Sequence, residues 1–329
     1  MVAGASSNKD AGVDRITLLA AATAIVLGGG NAIGIRFLVR ELDPFWGASL
    51  RFGLAALLFL GFVAVRRISL PRGRALLGVV LYGVLAFGVA FALGFWGLVR
   101  VEAGLAMVIL SVVPLATLFL AALHGLEKLT WRGVAGALSA VVGFVIIVAF
   151  ADGSAGEVSI PGVLAVLGAA VAISEAGVVV KRFPKVSPAV ENGLAMAVGT
   201  VVLVILSTVS GESWIAPTQG ETLAALAYLV LAGSIVVFGL FIFILSRWSA
   251  SAASYQFVLT PFVTLPAAAW LLDEQLTTAM LLGALAVIAG VYVGALHPKA
   301  RSEDVAAVQC GPDVLLRLEE EGIIDPVKG

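Results

Sequence analysis

The chain has 329 residues, of which 60% are hydrophobic and only 12% are charged, and its mean hydropathy is +1.08. An ordinary soluble domain carries about 25% charged residues, so the composition excludes a water-soluble enzyme, a nucleic-acid-binding domain and, with one cysteine, a disulfide scaffold. The formal net charge of −1 indicates no charged partner. The charges lie in short clusters between apolar runs of about twenty residues, the length that crosses a bilayer as a helix.

Ten such apolar runs follow one another along the chain. Each is long enough, at about 1.5 Å per residue, to cross a hydrocarbon core of about 30 Å. The sequence therefore predicts an all-α integral membrane protein with ten transmembrane helices. The predicted spans are residues 16–36, 44–65, 75–96, 102–122, 131–150, 161–181, 187–209, 222–245, 250–272 and 278–296.

The basic residues predict the orientation. If the N-terminus is cytoplasmic, 16 of the 20 Lys and Arg residues fall in cytoplasmic segments, three fall in external segments and one, Arg51, lies within a span. Cytoplasmic loops carry an excess of Lys and Arg, so we expect a multi-pass protein of the cytoplasmic (inner) membrane with both termini in the cytoplasm. The predicted organisation is an N-terminal tail (1–15), a first half (16–150), an external linker (151–160), a second half (161–296) and a cytoplasmic C-terminal tail (297–329).

The chain also carries an internal repeat. With an offset of 147 residues, 14 of the 41 positions between 103 and 143 are identical to those between 250 and 290, and the sequence EKLT at 127–130 recurs as EQLT at 274–277. Five spans per half is an odd number, so the two halves are expected to cross the membrane in opposite directions. Inverted repeats of this kind are found in many secondary transporters, with the solute site near the midplane between the halves.

These features together resemble a known family. They are the run Gly29-Gly30-Asn31 in the first span, Pro44 followed by Arg51-Phe52 in the second, and Pro114 and Pro261 ahead of the duplicated EKLT and EQLT segments. Over about residues 16–296 the chain is similar to the drug/metabolite transporter superfamily, EamA type. The resemblance implies ten helices as five plus five, and a transporter, often an exporter, of amino acids, other metabolites or drugs. It also implies a cavity lined by the first, third, fourth, sixth, eighth and ninth spans.

Two ionisable residues inside predicted spans are candidates for the solute site, because charge at membrane depth is costly. Arg51 in the second span offers a bidentate fork for a substrate carboxylate or phosphate, or it holds that span in place. Glu175 in the sixth span exchanges a proton during transport, binds a cationic ammonium group, or makes a structural hydrogen bond to a neighbouring helix. The sequence leaves these alternatives open.

Uncharged polar and aromatic residues add further candidates. Asn31 lies among glycines that allow either close helix packing or local unwinding at a solute. Tyr82 and Phe91 belong to an aromatic series along the third span, which lines a cavity or packs against other helices. Tyr228, Tyr255 and Gln256 complete the predicted substrate-binding set.

Two prolines, Pro114 and Pro261, interrupt backbone hydrogen bonding in the fourth and ninth spans. They are either bending points for gating or static kinks. The Gly30/Gly34 and Gly290/Gly294 spacings serve internal helix packing or the seam of a homodimer.

The sequence contains no nucleotide-binding motif and no cluster of metal ligands, with only two His and one Cys, so we expect no cofactor, no metal site and no catalytic centre. We expect a secondary transporter that exports or exchanges a small metabolite, an amino acid or an amphipathic compound, by alternating access, with proton coupling through Glu175. Its partners would be the solute and the bilayer. A membrane sensor that signals through the C-terminal tail is one alternative, and an intramembrane enzyme is another.

Overall fold

The computed structural model describes residues 15–129, 159–254, 256–275 and 278–295, with short stretches between 131 and 143, and every regular element in these ranges is a helix. Among the described residues, seven helices are long and apolar enough to cross a membrane. They are α1 (Arg15–Leu38), α2 (Pro44–Val65), α3 (Arg74–Leu98), α4 (Ala103–Leu123), α5 (Ile160–Arg182), α6 (Pro188–Val209) and α7 (Gly220–Arg247). Four further helices follow, namely α8 (Ala250–Ser254), α9 (Gln256–Leu259), α10 (Pro261–Leu271) and α11 (Thr278–Ala295). Most of the predicted fifth span and both predicted tails, apart from Arg15, lie outside the described residues.

Proline and short polar residues mark several helix starts. Proline lies in the first turn of α2, α5 and α6, where the missing N–H has no intrahelical acceptor in any case. The residues before these helices are Asp43, Ser159 and Ser187, and the hydroxyl of Ser159 accepts a hydrogen bond from the N–H of Gly162 at 3.2 Å. Asp43 and Ser187 make no such bond, so proline in the first turn is the start signal that the three helices share.

The helix breaks lie beside the two prolines that the sequence analysis identified. Within α4 the helix is interrupted at residues 111–112 and resumes at Val113, so Pro114 lies in the first turn of its second half. Pro261 is the first residue of α10, and the helix is interrupted at Thr260, directly before it. Both breaks follow from the hydrogen bonds that proline cannot make.

Two spans contain wider π-helical turns, over Gly83–Ala90 in α3 and Leu231–Val236 in α7. With the repeat offset of 147 residues, positions 231–236 correspond to positions 84–89. The two halves therefore carry the same irregularity at equivalent places. π-Helical turns occur frequently at functional sites because they redirect the side chains that follow.

Two glutamates join α4 to the segment formed by α8, α9 and α10. The carboxylate of Glu274, which follows α10, accepts hydrogen bonds from the N–H groups of Ala103 at 2.7 Å and Gly104 at 3.0 Å, the first two residues of α4. The carboxylate of Glu127, which follows α4, accepts from the hydroxyl of Ser251 at 2.5 Å and from its N–H at 3.3 Å, at the start of α8. Each segment therefore begins beside the end of the other, so the two run antiparallel.

Glycines permit the close approach of α3 and α6. A Cβ atom at Gly199 of α6 would lie 2.3 Å from the Cβ and 2.8 Å from the carbonyl carbon of Phe87, and one at Gly83 would lie 2.6 Å from the carbonyl oxygen of Ala195. Because backbone atoms are involved, a side chain at either glycine cannot be accommodated by a rotamer change alone.

We therefore expect Gly199→Ala to lower the free energy of unfolding by about 1–3 kcal/mol, the usual cost of overpacking. Gly61→Ala in α2 is the matched control, since a Cβ atom there meets nothing within 4 Å. Thermal unfolding of the purified variants in detergent measures both. Equal midpoints for Gly199→Ala and Gly61→Ala would contradict the close approach.

Candidate functional site

A cavity of about 120 Å³ lies among α1, α3, α4, α5, α7 and residues 256–260. These segments belong to the six spans that the resemblance implies. Most of the lining is apolar, with alanine, glycine and phenylalanine prominent. The volume has room for several water molecules or a small solute, and the aromatic rings provide flat apolar contact surface.

Four of the predicted substrate-binding residues line this cavity. They are Asn31 of α1, Tyr82 and Phe91 of α3, and Gln256 of α9. The hydroxyl of Tyr82 and the side-chain carbonyl oxygen of Gln256 are buried and make no hydrogen bond within the described part of the chain. A buried polar group without a partner costs about 1–3 kcal/mol, so each atom has hydrogen-bonding capacity that the described residues do not use.

Arg51 lies directly behind the cavity wall and is fully buried. Its Nε donates to the hydroxyl of Ser234 at 2.9 Å, and its Nη2 donates to the side-chain oxygen of Asn31 at 3.1 Å and to the carbonyl oxygen of Gly233 at 3.0 Å. The guanidinium carbon is 5.1 Å from the ring centroid of Phe91, within the range of a cation–π contact. Two residues of the cavity wall, Asn31 and Phe91, thus separate the cavity from a positive charge.

The Arg51 guanidinium retains an unused donor. Its Nη1 has no hydrogen-bond partner, and no carboxylate lies within ion-pairing distance of it, among the described residues. The sequence left open whether Arg51 binds an anion or holds α2 in place. The structure shows the second role through Ser234 and Gly233, and the unpaired Nη1 leaves a donor for the first.

Glu175 lies on α5, but its side chain is not part of the cavity lining. Its Oε1 is 3.2 Å from Nε2 of His124, while Ile173 and Ala176 of the same helix line the cavity. The other imidazole nitrogen, Nδ1, is 2.9 Å from the carbonyl oxygen of Leu120. A carbonyl oxygen only accepts, so a hydrogen bond at this distance has Nδ1 as its donor. The contact between Nε2 and Oε1 joins the end of α4 to α5.

Three of the four glycines of α1 serve close packing, whereas Gly28 lines the cavity, and α1 is a continuous helix from Arg15 to Leu38 without local unwinding. A Cβ atom at Gly30 would lie 2.2 Å from the hydroxyl oxygen of Tyr228, and one at Gly34 would lie 3.0 Å from the Leu229 side chain. The Gly30/Gly34 spacing therefore faces α7 inside the protein. The Tyr228 hydroxyl donates to the carbonyl oxygen of Leu27 at 2.6 Å, so this predicted site residue joins two helices and does not line the cavity.

One predicted residue lies outside the described part of the chain, and two buried polar residues of α6 were not predicted from the sequence. Tyr255, another predicted site residue, lies outside the described residues. Glu191 and Asn192 of α6 were missed, although both are buried and Asn192 donates to the carbonyl oxygen of Phe238, a cavity residue, at 3.1 Å. The available signal was an acid and an amide at adjacent positions within an apolar span.

Comparison with known proteins shows that the chain is similar to membrane transporters. The sequence model of the EamA-like transporter family matches residues 15–149 and 160–295. The uncharacterized inner membrane transporter YedA of Escherichia coli K12 is 29% identical over 244 residues, which cover 71% of this chain and 76% of the relative. A probable amino-acid metabolite efflux pump of Salmonella typhimurium is 28% identical over 289 residues, which cover 84% of this chain and 94% of the relative.

One solved crystal structure shares the fold, with a TM-score of 0.65 at 20% sequence identity. The similarity covers 86% of this chain and 97% of the solved one. At this identity the comparison establishes the fold alone.

The contribution of the Arg51 hydrogen bonds to stability can be tested by substitution. We expect Arg51→Lys to lower the free energy of unfolding by about 1–3 kcal/mol, because an ammonium group cannot reproduce the planar set of bonds to Ser234, Gly233 and Asn31. Thermal unfolding in detergent checks this, with the exposed Arg72→Lys as the matched control. An unchanged midpoint for Arg51→Lys would show that the bonds contribute nothing to stability.

Proposed function

The chain belongs to the EamA-like transporter family, and on that premise we propose that it is a secondary transporter that moves a small solute across the cytoplasmic membrane by alternating access. The observation that carries the proposal is the apolar cavity with the unpartnered polar atoms of Tyr82 and Gln256 in its wall. Tyr82 belongs to the first matched repeat and Gln256 to the second, so the cavity lies between the two repeats.

The proposed topology is ten spans as two inverted five-helix repeats, over residues 16–150 and 161–296. Both tails are cytoplasmic, and the linker 151–160 is external. The antiparallel course of α4 and the α8–α10 segment, each capped by the glutamate that follows the other, supports this relation. The excess of Lys and Arg in the proposed cytoplasmic segments supports the orientation.

The proposed solute is an amphipathic compound, such as an amino acid with a large apolar side chain, and the proposed direction is export or exchange. Phe91 and Phe238 provide surface for the apolar part, while Gln256 and Tyr82 provide hydrogen-bonding atoms. The positive charge of Arg51 behind Asn31 favours a carboxylate at that side. The relative named as an amino-acid metabolite efflux pump supports this class.

The proposed driving force is a proton gradient that acts through Glu175. The support is the contact with His124, which brings together two titratable side chains that are each 24% exposed. Partial exposure would give a proton shared by the two side chains access to water, whereas a fully buried pair would lack it. A transport cycle that separates α4 from α5 at this point would release the proton.

The first experiment is metabolite profiling of spent medium from cells that express the intact chain, Tyr82→Phe or Gln256→Leu at matched membrane abundance. We expect one solute class to be enriched only with the intact chain, and its efflux to fall about tenfold in each variant, the consequence of losing one specific hydrogen bond. Thr208→Val, at an exposed hydroxyl that bonds its own helix, is the control.

The Tyr82→Phe variant also separates binding from folding. Removal of a buried hydroxyl without a partner should leave the unfolding midpoint unchanged or higher. Reduced efflux with undiminished stability therefore indicates a solute contact. Deletion of residues 300–329 should leave efflux intact, and loss of efflux on deletion would instead favour the sensor.

Proton coupling has a separate test in proteoliposomes that contain the solute so identified. Glu175→Gln and His124→Gln should each abolish flux driven by a pH gradient, because neither amide can take up the shared proton, while solute exchange at equal pH continues. Glu221→Gln, at an exposed acid, is the matched control. Unchanged pH dependence in both variants would exclude this pair as the coupling site.

A further inference from the structure

The carboxylate of Glu274 closes one end of the contact between α4 and the α8–α10 segment. It accepts from two free N–H groups at the start of α4, at 2.7 and 3.0 Å, and its side chain is only 5% exposed. The positive end of the α4 dipole strengthens such bonds. The Nε of Arg36 is 4.0 Å from the same carboxylate, and Nη1 of Arg36 donates to the carbonyl oxygen of Leu98 at 2.9 Å, so α1 and α3 are joined to this point.

The carboxylate of Glu127 closes the opposite end with a weaker set of bonds. It accepts from the hydroxyl of Ser251 at 2.5 Å, but from only one N–H group, at 3.3 Å, and it is only partly buried. Lys181 acts on Glu127 electrostatically, while its ammonium group donates to the carbonyl oxygen of Trp248. Water can replace the bonds of a partly exposed carboxylate more easily than those of a buried one.

The two contacts are the same interaction made twice. The repeat offset of 147 residues places Glu127 on Glu274 and Gly104 on Ser251. The elements that they join also form the cavity wall, since Met107 of α4 and the segment 256–260 both line it. Opening the cavity between these elements at one end requires that the glutamate at that end release its partner, while the glutamate at the other end holds.

We propose that Glu274 and Glu127 are the outer and inner latches of the transport cycle, that they release alternately, and that the stronger outer latch makes the resting protein open first to the cytoplasm. The proposal rests on the proposed function and its orientation. It adds to that function the two residues that determine which side of the membrane the cavity opens to. It also adds a physical reason for the solute to be loaded from the cytoplasm.

The carboxylate of Glu102 acts against the outer latch by electrostatic repulsion of Glu274. The pKa of Glu102 is raised by burial and by the nearby Glu274 carboxylate, while Arg36 acts in the other direction. When Glu102 is ionised, its charge repels Glu274, and Arg36 offsets that repulsion. The burial of Glu274 and its two backbone donors still distinguish the outer latch from the inner one.

The test uses a single cysteine in the cavity. Gly94→Cys in a Cys310→Ser background places a thiol on the α3 wall, where a Cβ atom meets nothing within 4 Å. A membrane-impermeant methanethiosulfonate is added to right-side-out or inside-out vesicles, and the labelling rate from each face is measured. With both glutamates intact, we expect faster labelling from the cytoplasmic face.

The two latch variants should change labelling in opposite directions. Glu274→Ala should raise the rate from outside and lower the rate from inside, changing their ratio by about fivefold, and Glu127→Ala should do the reverse. The corresponding Gln variants keep one acceptor and should give intermediate ratios. Ser251→Ala removes the hydroxyl partner of Glu127 and should reproduce the effect of Glu127→Ala, with no further change when the two are combined.

Glu212→Ala is the matched control. Its carboxylate makes the same kind of bond, to the N–H groups of Phe45 and Trp46 at the start of α2, at 3.1 and 2.8 Å, but those residues do not line the cavity. The labelling ratio of this variant should equal that of the intact chain.

The outcomes distinguish failure of the latch proposal from failure of the proposed function. If Glu274→Ala and Glu127→Ala shift the ratio in the same direction, or if neither shifts it while efflux of the solute falls, the residues are merely structural and the latch proposal is wrong. Equal labelling from both faces of the intact chain would overturn the proposed resting preference. Labelling from neither face in any variant would contradict the proposed function, because the cavity would then not be on a transport path.

Discussion

A bilayer offers no water to backbone polar groups, and the described structure depends on how the chain satisfies its helix ends. Carboxylates perform this role repeatedly. Glu212 binds the start of α2, Glu274 the start of α4 and Glu127 the start of α8. Glu41, which follows α1, accepts hydrogen bonds from the side chain and the N–H of Thr218 in the loop before α7. These bonds lower the pKa of Glu41 to about 2. These four carboxylates therefore join segments that are remote in sequence.

The same constraint makes unpartnered polar atoms informative. Inside the protein, a polar atom without a partner is expensive, and six buried side-chain atoms have none within the described residues. Three of them, the Tyr82 hydroxyl, the Gln256 oxygen and Nη1 of Arg51, belong to residues in the wall of the cavity or directly behind it, whereas the other three do not. The remaining bonds of Arg51 hold α1, α2 and α7 together. Arg51 thus combines a structural role with a charge that a solute can sense through Asn31.

For the seven long apolar helices of the described residues, the sequence predicted the bounds closely, because each requires only a local apolar run. It also selected Asn31, Tyr82, Phe91 and Gln256, since polar or aromatic residues stand out in apolar helices. It could not place Glu175 beside His124, because that contact joins two helices whose relative rotation no local pattern encodes. The wider turns in α3 and α7 were missed for a related reason, since they depend on packing between spans. The breaks beside Pro114 and Pro261 were predicted, because the effect of proline on a helix is local.

Duplication gave the two halves equivalent glutamate contacts, and divergence of the surrounding residues made the two contacts unequal. Repetition of one glutamate in each half produces a pair of equivalent contacts, and equivalent contacts alone would give a protein with no preferred side. The neighbours of the two glutamates differ, with Gly104, Arg36 and deep burial on one side and Ser251, a more distant Lys181 and partial exposure on the other. In the proposed cycle, a resting preference for one side therefore requires no additional domain, because small differences around a duplicated carboxylate bias a nearly symmetric pair of states, while the gradient sets the direction of net transport.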